Sequence, residues 1–181
     1  EKRTELKVVP RLAVDVSPDI AIIPQGTGGS RVVRVTVANG WPGSVEGDVR
    51  LDVPVDWTVT PPTNRVRFSR EDEAQTHPFT VTPPTQAEGE HAIRAVVDTA
   101  DGSFDTGYQV VEYSHIGRRH LVRSAESTIK LIEVSLPANL IVGYIEGVGD
   151  EVPPAIEQLG AVVEFVDADE LAWGDLSRFD V

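Results

Sequence analysis

Four histidines, His77, His91, His115 and His120, are the side chains here best suited to share a metal ion with carboxylates or to move protons near neutral pH. No two of them stand at the i,i+4 interval that puts paired ligands on one helix face, and only His115 and His120 are close, across a Gly-Arg-Arg turn. Separate structural roles follow, with no metal, no cofactor and no catalytic residue expected. His115 then serves as a hydrogen-bonding residue in the joint after the last sandwich strand. The chain has no cysteine, which removes thiolate ligands, cysteine nucleophiles and disulfides together.

Two other groups of residues suggest binding. Gly147-Val148-Gly149-Asp150 follows an apolar run and precedes a helical pattern, the position at which doubly wound folds place ligand loops. Gly147, Gly149 and Asp150 are thus a candidate ligand loop. The third glycine of a dinucleotide fingerprint would fall at Val152, and Asp150 with Glu151 repels phosphate while suiting a helix N-terminus, so capping by Asp150 competes with binding. Among the aromatics, Trp57 lies inside a strand and reads as core. Trp41, in the turn Asn39-Gly40-Trp41-Pro42-Gly43, has a context that favours exposure and is the candidate carbohydrate-stacking residue.

The elements that must position these residues are mostly strands. Leu12–Val16, Arg31–Val37 and Asp48–Val53 are strand-like, and in the second and third the apolar residues fall largely at alternate positions, the period of a strand buried on one face. Further strands are expected at Trp57–Val59, Arg65–Phe68, His77–Val81, His91–Asp98 and Tyr108–Tyr113, between turns rich in Gly, Pro and Asn. Seven or eight short strands at this spacing, across residues 8–116, favour an immunoglobulin-like antiparallel β-sandwich rather than a barrel, an alternative that periodicity alone leaves open. Residues 117–137 form a linker, opening on the polar joint Gly117–His120 and holding one strand, Thr128–Val134, whose sheet the pattern does not assign. From 138 to 181 the text changes: Leu140–Ile145 and Ala161–Val166 are near-continuous apolar runs, as in parallel strands buried on both faces. Between them Val152, Ala155, Ile156 and Leu159 recur at helical spacing, with Pro153 and Pro154 in the first turn and Gly160 as a stop. Phe179-Asp180-Val181 reads as the approach to a third strand. The segment is expected to be a truncated, flavodoxin-like β-α-β unit, and the opening Glu1-Lys2-Arg3 suggests a chain starting inside a longer precursor.

Charge narrows the partners. Residues 1–137 hold 15 Lys and Arg against 19 Asp and Glu, and 138–181 hold 1 against 10, for a net charge of −13. Nucleic-acid binding rests on cations displacing counterions from phosphates, so this balance argues against it. No apolar run approaches the roughly 18 residues that span a bilayer, so no membrane insertion is expected.

Two stretches carry a family resemblance. Val33–Asn39, Val55-Asp56-Trp57-Thr58-Val59-Thr60-Pro61, Phe79–Pro84 and Glu88–Ile93 resemble the NEW-type Ig-like domain appended to bacterial α-galactosidases and other exported enzymes, over roughly residues 10–100. Tyr113-Ser114-His115-Ile116, Gly143–Pro153 and Gly174–Asp180 are similar to the C-terminal half of large bacterial PIG-L/LmbE-type deacetylases. There a zinc-dependent N-acetyl-sugar deacetylase domain precedes a sandwich and a glutamine-amidotransferase-like domain. The family's Ala-His-Pro-Asp-Asp zinc motif has no match, since His77-Pro78 continues as Phe79-Thr80, and the amidotransferase cysteine is also missing. The resemblance therefore implies a non-catalytic accessory or spacer region, secreted or periplasmic, whose partners are other domains of the same polypeptide. A carbohydrate-binding module, with polysaccharide as partner, is the alternative.

Overall fold

Strict alternation sets the first layer: in β3 (Arg31–Asn39) the inward Val33, Val35 and Val37 are fully buried between more exposed neighbours. A computed structural model describes residues 10–113, 116–147 and 152–181, with the backbone alone for 109–113 and 116–120. Strands β1 (Leu12–Ser17), β3, β7 (Ala74–Thr82) and β5 (Thr58–Thr60) make one sheet in the order β1-β3-β7-β5. The second sheet runs β2 (Ile20–Pro24), β12 (Glu126–Ile132), β8 (Gly89–Thr99), β4 (Val45–Asp52) and β6 (Asn64–Phe68), with β9 (Gly102–Phe104) folded back on β8. The chain is mainly β and forms an immunoglobulin-like sandwich of two sheets, with the consecutive strands β1 and β2 in different sheets. The division falls at Ser17-Pro18, a cis peptide, after which β2 pairs in parallel with β12.

The two inner faces meet in one apolar cluster. Phe68, Phe79, Leu12, Ile23, Ile93 and Ile129 are its largest fully buried members, and each such side chain contributes roughly 1.5–3 kcal/mol relative to exposure. Between β9 and β12 stands an antiparallel hairpin, β10 (Thr106–Tyr113) and β11 (Ile116–Ser124). It lies against β1: a Cβ on Gly107 would sit 2.3 Å from the Val14 carbonyl oxygen, so only glycine permits the approach.

Several expectations are corrected. The linker of 117–137 is no linker, because its strand is β12, hydrogen-bonded between β2 and β8 with Ile129 and Leu131 in the core. Its parallel partner lies at the other end of the sandwich sequence, which no local pattern reveals. Gly117–His120, expected as a polar joint, runs inside β11, and β2 and β9 were not anticipated. His115 lies outside the described residues.

After β12 the chain forms β13 (Ile141–Tyr144), α1 (Val152–Leu159), β14 (Val162–Phe165) and a short helix α2 (Ala168–Trp173). β13 and β14 are parallel, as the apolar runs implied, but the burial on both faces expected of them is corrected: β13 is half-buried throughout and the ends of β14 are exposed, because α1, packed against β14, cannot cover both faces of so small a sheet. Gly160 ends α1 at φ +104°, a conformation open to glycine. On the opposite edge of β13, Asp180 N donates to the Ile141 carbonyl and Gly143 N to that of Val181, both at 2.9 Å, so the strand-like approach of 179–181 takes that side. The helix turns differently from its expected apolar stripe. Val152 and Ala155 are exposed while Pro153 is buried, because α1 meets two neighbours, β14 and the sandwich edge β2. α2 is an additional helix with its own capping signal, in which the Asp167 side chain accepts from Glu170 N at 2.8 Å.

Candidate functional site

The turn after β3 is built around one buried amide. Asn39 is 1% exposed, and its Nδ2 donates to the carbonyls of Trp41 (3.0 Å), Gly43 (3.2 Å) and Arg70 (2.8 Å), while Oδ1 accepts from Trp41 N at 3.0 Å. A side-chain amide in place of backbone partners lets the chain leave β3 sharply, and the turn holds Trp41 outward. The indole is 47% exposed, with the Arg11 guanidinium carbon 4.7 Å from its ring centre and Gly43 close beside Cδ1 and Nε1. Arg11 is held in turn by Asp101 at 2.8 Å, on the loop between β8 and β9. One part of the ring surface is thus already occupied by a cation.

The remaining candidates do not converge on Trp41. Trp57 stands one residue before β5 rather than inside a strand, and packs half-buried against the core, its ring 5.1 Å from that of His91 at a tilt of 57°. Trp173 on α2 is 91% exposed, so the expectation that Trp41 alone had a context for exposure is corrected. The cause is the short helix, which presents that side chain away from β13 and β14. His91 Nε2 contacts the Glu88 carbonyl at 2.8 Å, and His77, in the other sheet, has a buried Nε2 without a hydrogen-bond partner among the described residues. Among the described residues no group of three His, Asp or Glu side chains is arranged to hold a metal. Gly147 is exposed just after β13; Gly149 and Asp150 lie outside the described residues.

Ion pairs occupy the outer faces. On the second sheet Arg50 bridges Asp52 and Asp98, and Ser103 Oγ donates to Asp98 at 2.5 Å. The Ser103 hydroxyl first, and Arg50 second, hold the Asp98 carboxyl below the usual carboxylate range. Glu73 is lowered chiefly by the backbone N–H of Ser69 at 2.7 Å, with help from its hydroxyl. In Glu46 the Arg65 hydrogen bond leads.

No family model and no curated protein matches this sequence. Solved structures do. A FixG-related protein from Vibrio parahaemolyticus is 11% identical, over 68% of this chain and 98% of that one, with a TM-score of 0.42. The CARDB domain of a Pyrococcus furiosus protein, solved with di-metal ions, is 20% identical over 71% of this chain and all of its own, at 0.39. A PapD-like domain of a human protein is 12% identical over 75% and 96%, at 0.35.

Proposed function

We propose that this chain is a non-catalytic accessory region that spaces or docks a catalytic domain outside it, in an exported PIG-L/LmbE-type deacetylase. The observation that carries the reading is the way the two segments are fastened together. Gln158 on α1 accepts the Ile22 amide of edge strand β2 through Oε1 at 2.8 Å, and its carbonyl accepts from Arg31 Nη2 at 2.8 Å. A spacer must hold its two ends in fixed orientation, and these contacts tie the sandwich to the α/β segment beyond the covalent connection. Support for the parent comes from the resemblance in Tyr113–Ile116 and Gly143–Pro153; a secreted or periplasmic site follows from the same resemblance. Nitrogen relaxation on the whole chain tests the spacer: one rotational correlation time for β3 and β13 is expected, and a shorter one for β13 would overturn it. Incubated with N-acetylglucosamine derivatives and zinc, the chain is expected to release no acetate. Metal-dependent turnover would sink the accessory reading.

A second reading rests on the outward Trp41, as a stacking residue for polysaccharide. Affinity electrophoresis against soluble glycans separates the two. A spacer migrates unchanged, whereas retardation lost in Trp41→Ala would favour the binding module.

A further inference from the structure

The junction of α1 with the sandwich encloses an open cleft of about 520 Å³, which includes Pro18, Val32 and Pro154 as apolar surface and Arg31, Arg34 and Glu157 as charged groups. Arg31 donates Nη1 to the Ser30 carbonyl (2.9 Å) and Nη2 to that of Gln158 (2.8 Å), and its buried Nε has no acceptor among the described residues. Arg34 forms no side-chain hydrogen bond or ion pair among the described residues. In a chain with 29 acidic and 16 basic residues this is unusual. Every other lysine and arginine whose side chain is described is in an ion pair. Hydration suffices for a lone surface arginine, but here two guanidiniums with no carboxylate partner among the described residues share one cleft, and one is partly withdrawn from water. That burial lowers the pKa of Arg31, so an anion beside it would be favoured more than at the open surface.

We propose that this cleft is a binding site for a singly charged carboxylate, held by Arg34 and Arg31 with α1 as its wall. Guanidinium matches the two carboxylate oxygens through paired N–H donors. Glu157 sets the charge class: two arginines against one glutamate leave a single net positive charge, which suits a monoanion and disfavours a phosphate dianion. The apolar lining would contact a small carbon body. This inference is independent of the accessory reading, since it needs no catalytic domain elsewhere.

Side-chain Nε–Hε resonances of Arg31 and Arg34 in the whole chain provide the test. They are followed during titration with sodium acetate, sodium glucuronate, inorganic phosphate and sodium chloride at equal ionic strength. Saturable shifts with the two carboxylates, lost in Arg34→Gln and retained at least in part in Arg34→Lys, are expected. Tighter binding of glucuronate than acetate would identify a sugar acid as the source, and equal binding a free carboxylate. At ten times Kd the amides of α1 should exchange about tenfold more slowly if they open with loss of the site. Equal shifts with chloride, tighter binding of phosphate, or undiminished binding by a folded Arg34→Gln would overturn the proposal.

Discussion

A single buried amide, Asn39, organises the turn that presents Trp41, and its loss should be felt across the sandwich end. Asn39→Ala leaves the Trp41 N–H and three carbonyls without their partner, at a cost of about 2–4 kcal/mol. Urea unfolding measures it; a loss below about 0.5 kcal/mol would mean that water replaces the amide freely. Glu73 makes a subtler case. Its folded pKa lies below the unfolded value, so its contribution is present above the ordinary carboxylate range and disappears as pH falls through the folded value. Glu73→Gln should therefore melt lower than the parent at pH 7, with the gap closing below about pH 4. A gap constant from pH 7 to pH 3 would show that the charge of Glu73 is immaterial.

Among the elements, β2 is the vulnerable one. It is an edge strand with Pro24 at one end, paired only to β12, and an unpaired edge N–H invites association with other chains. Gln158 covers one such group, that of Ile22. Gln158→Ala should accelerate exchange of the Ile22 amide and cost about 1 kcal/mol, with the Ile129 amide on β12 unchanged. Parallel acceleration at both amides would mean that β2 and β12 open together. The hairpin depends on a different device, the close passage of Gly107 over Val14. Gly107→Ala should displace β10 from β1 and lower stability by about 1–3 kcal/mol, seen as amide shifts confined to β1, β10 and β11.

Across the whole molecule, burial is uneven. The sandwich encloses a continuous core, whereas the strands β13 and β14 contain no fully buried residue and Val162, Phe165 and Trp173 are largely exposed. Segment-resolved hydrogen exchange should find β3, β8 and β12 better protected than β13 and β14 by about 2 kcal/mol or more in opening free energy. Equal protection at low protein concentration would show that the α/β segment is as stable as the sandwich. Its net charge adds to the contrast, since 10 acidic residues face 1 basic residue over 138–181 and repel one another at low salt.

The sequence by itself determined the layers and their faces. Alternation in Arg31–Asn39 and Asp48–Val53 dictates which side chains enter the core, because one face of each strand must leave water and the other need not. The continuous apolar runs from Leu140 likewise implied parallel pairing, although the burial on both faces that usually accompanies it is missing here. Tertiary structure alone decided the partners. Nothing local in Thr128–Ile132 says that β2, more than 100 residues earlier, lies beside it, since pairing choice depends on backbone edges meeting in space. The rotation of α1 was equally illegible: its periodicity marks an amphipathic helix, but the sandwich edge draws Gln158 inward and leaves Val152 in water. The same docking creates the Arg31–Arg34 cleft, whose residues from β1, β2, β3 and α1 lie too far apart in sequence to read as a motif.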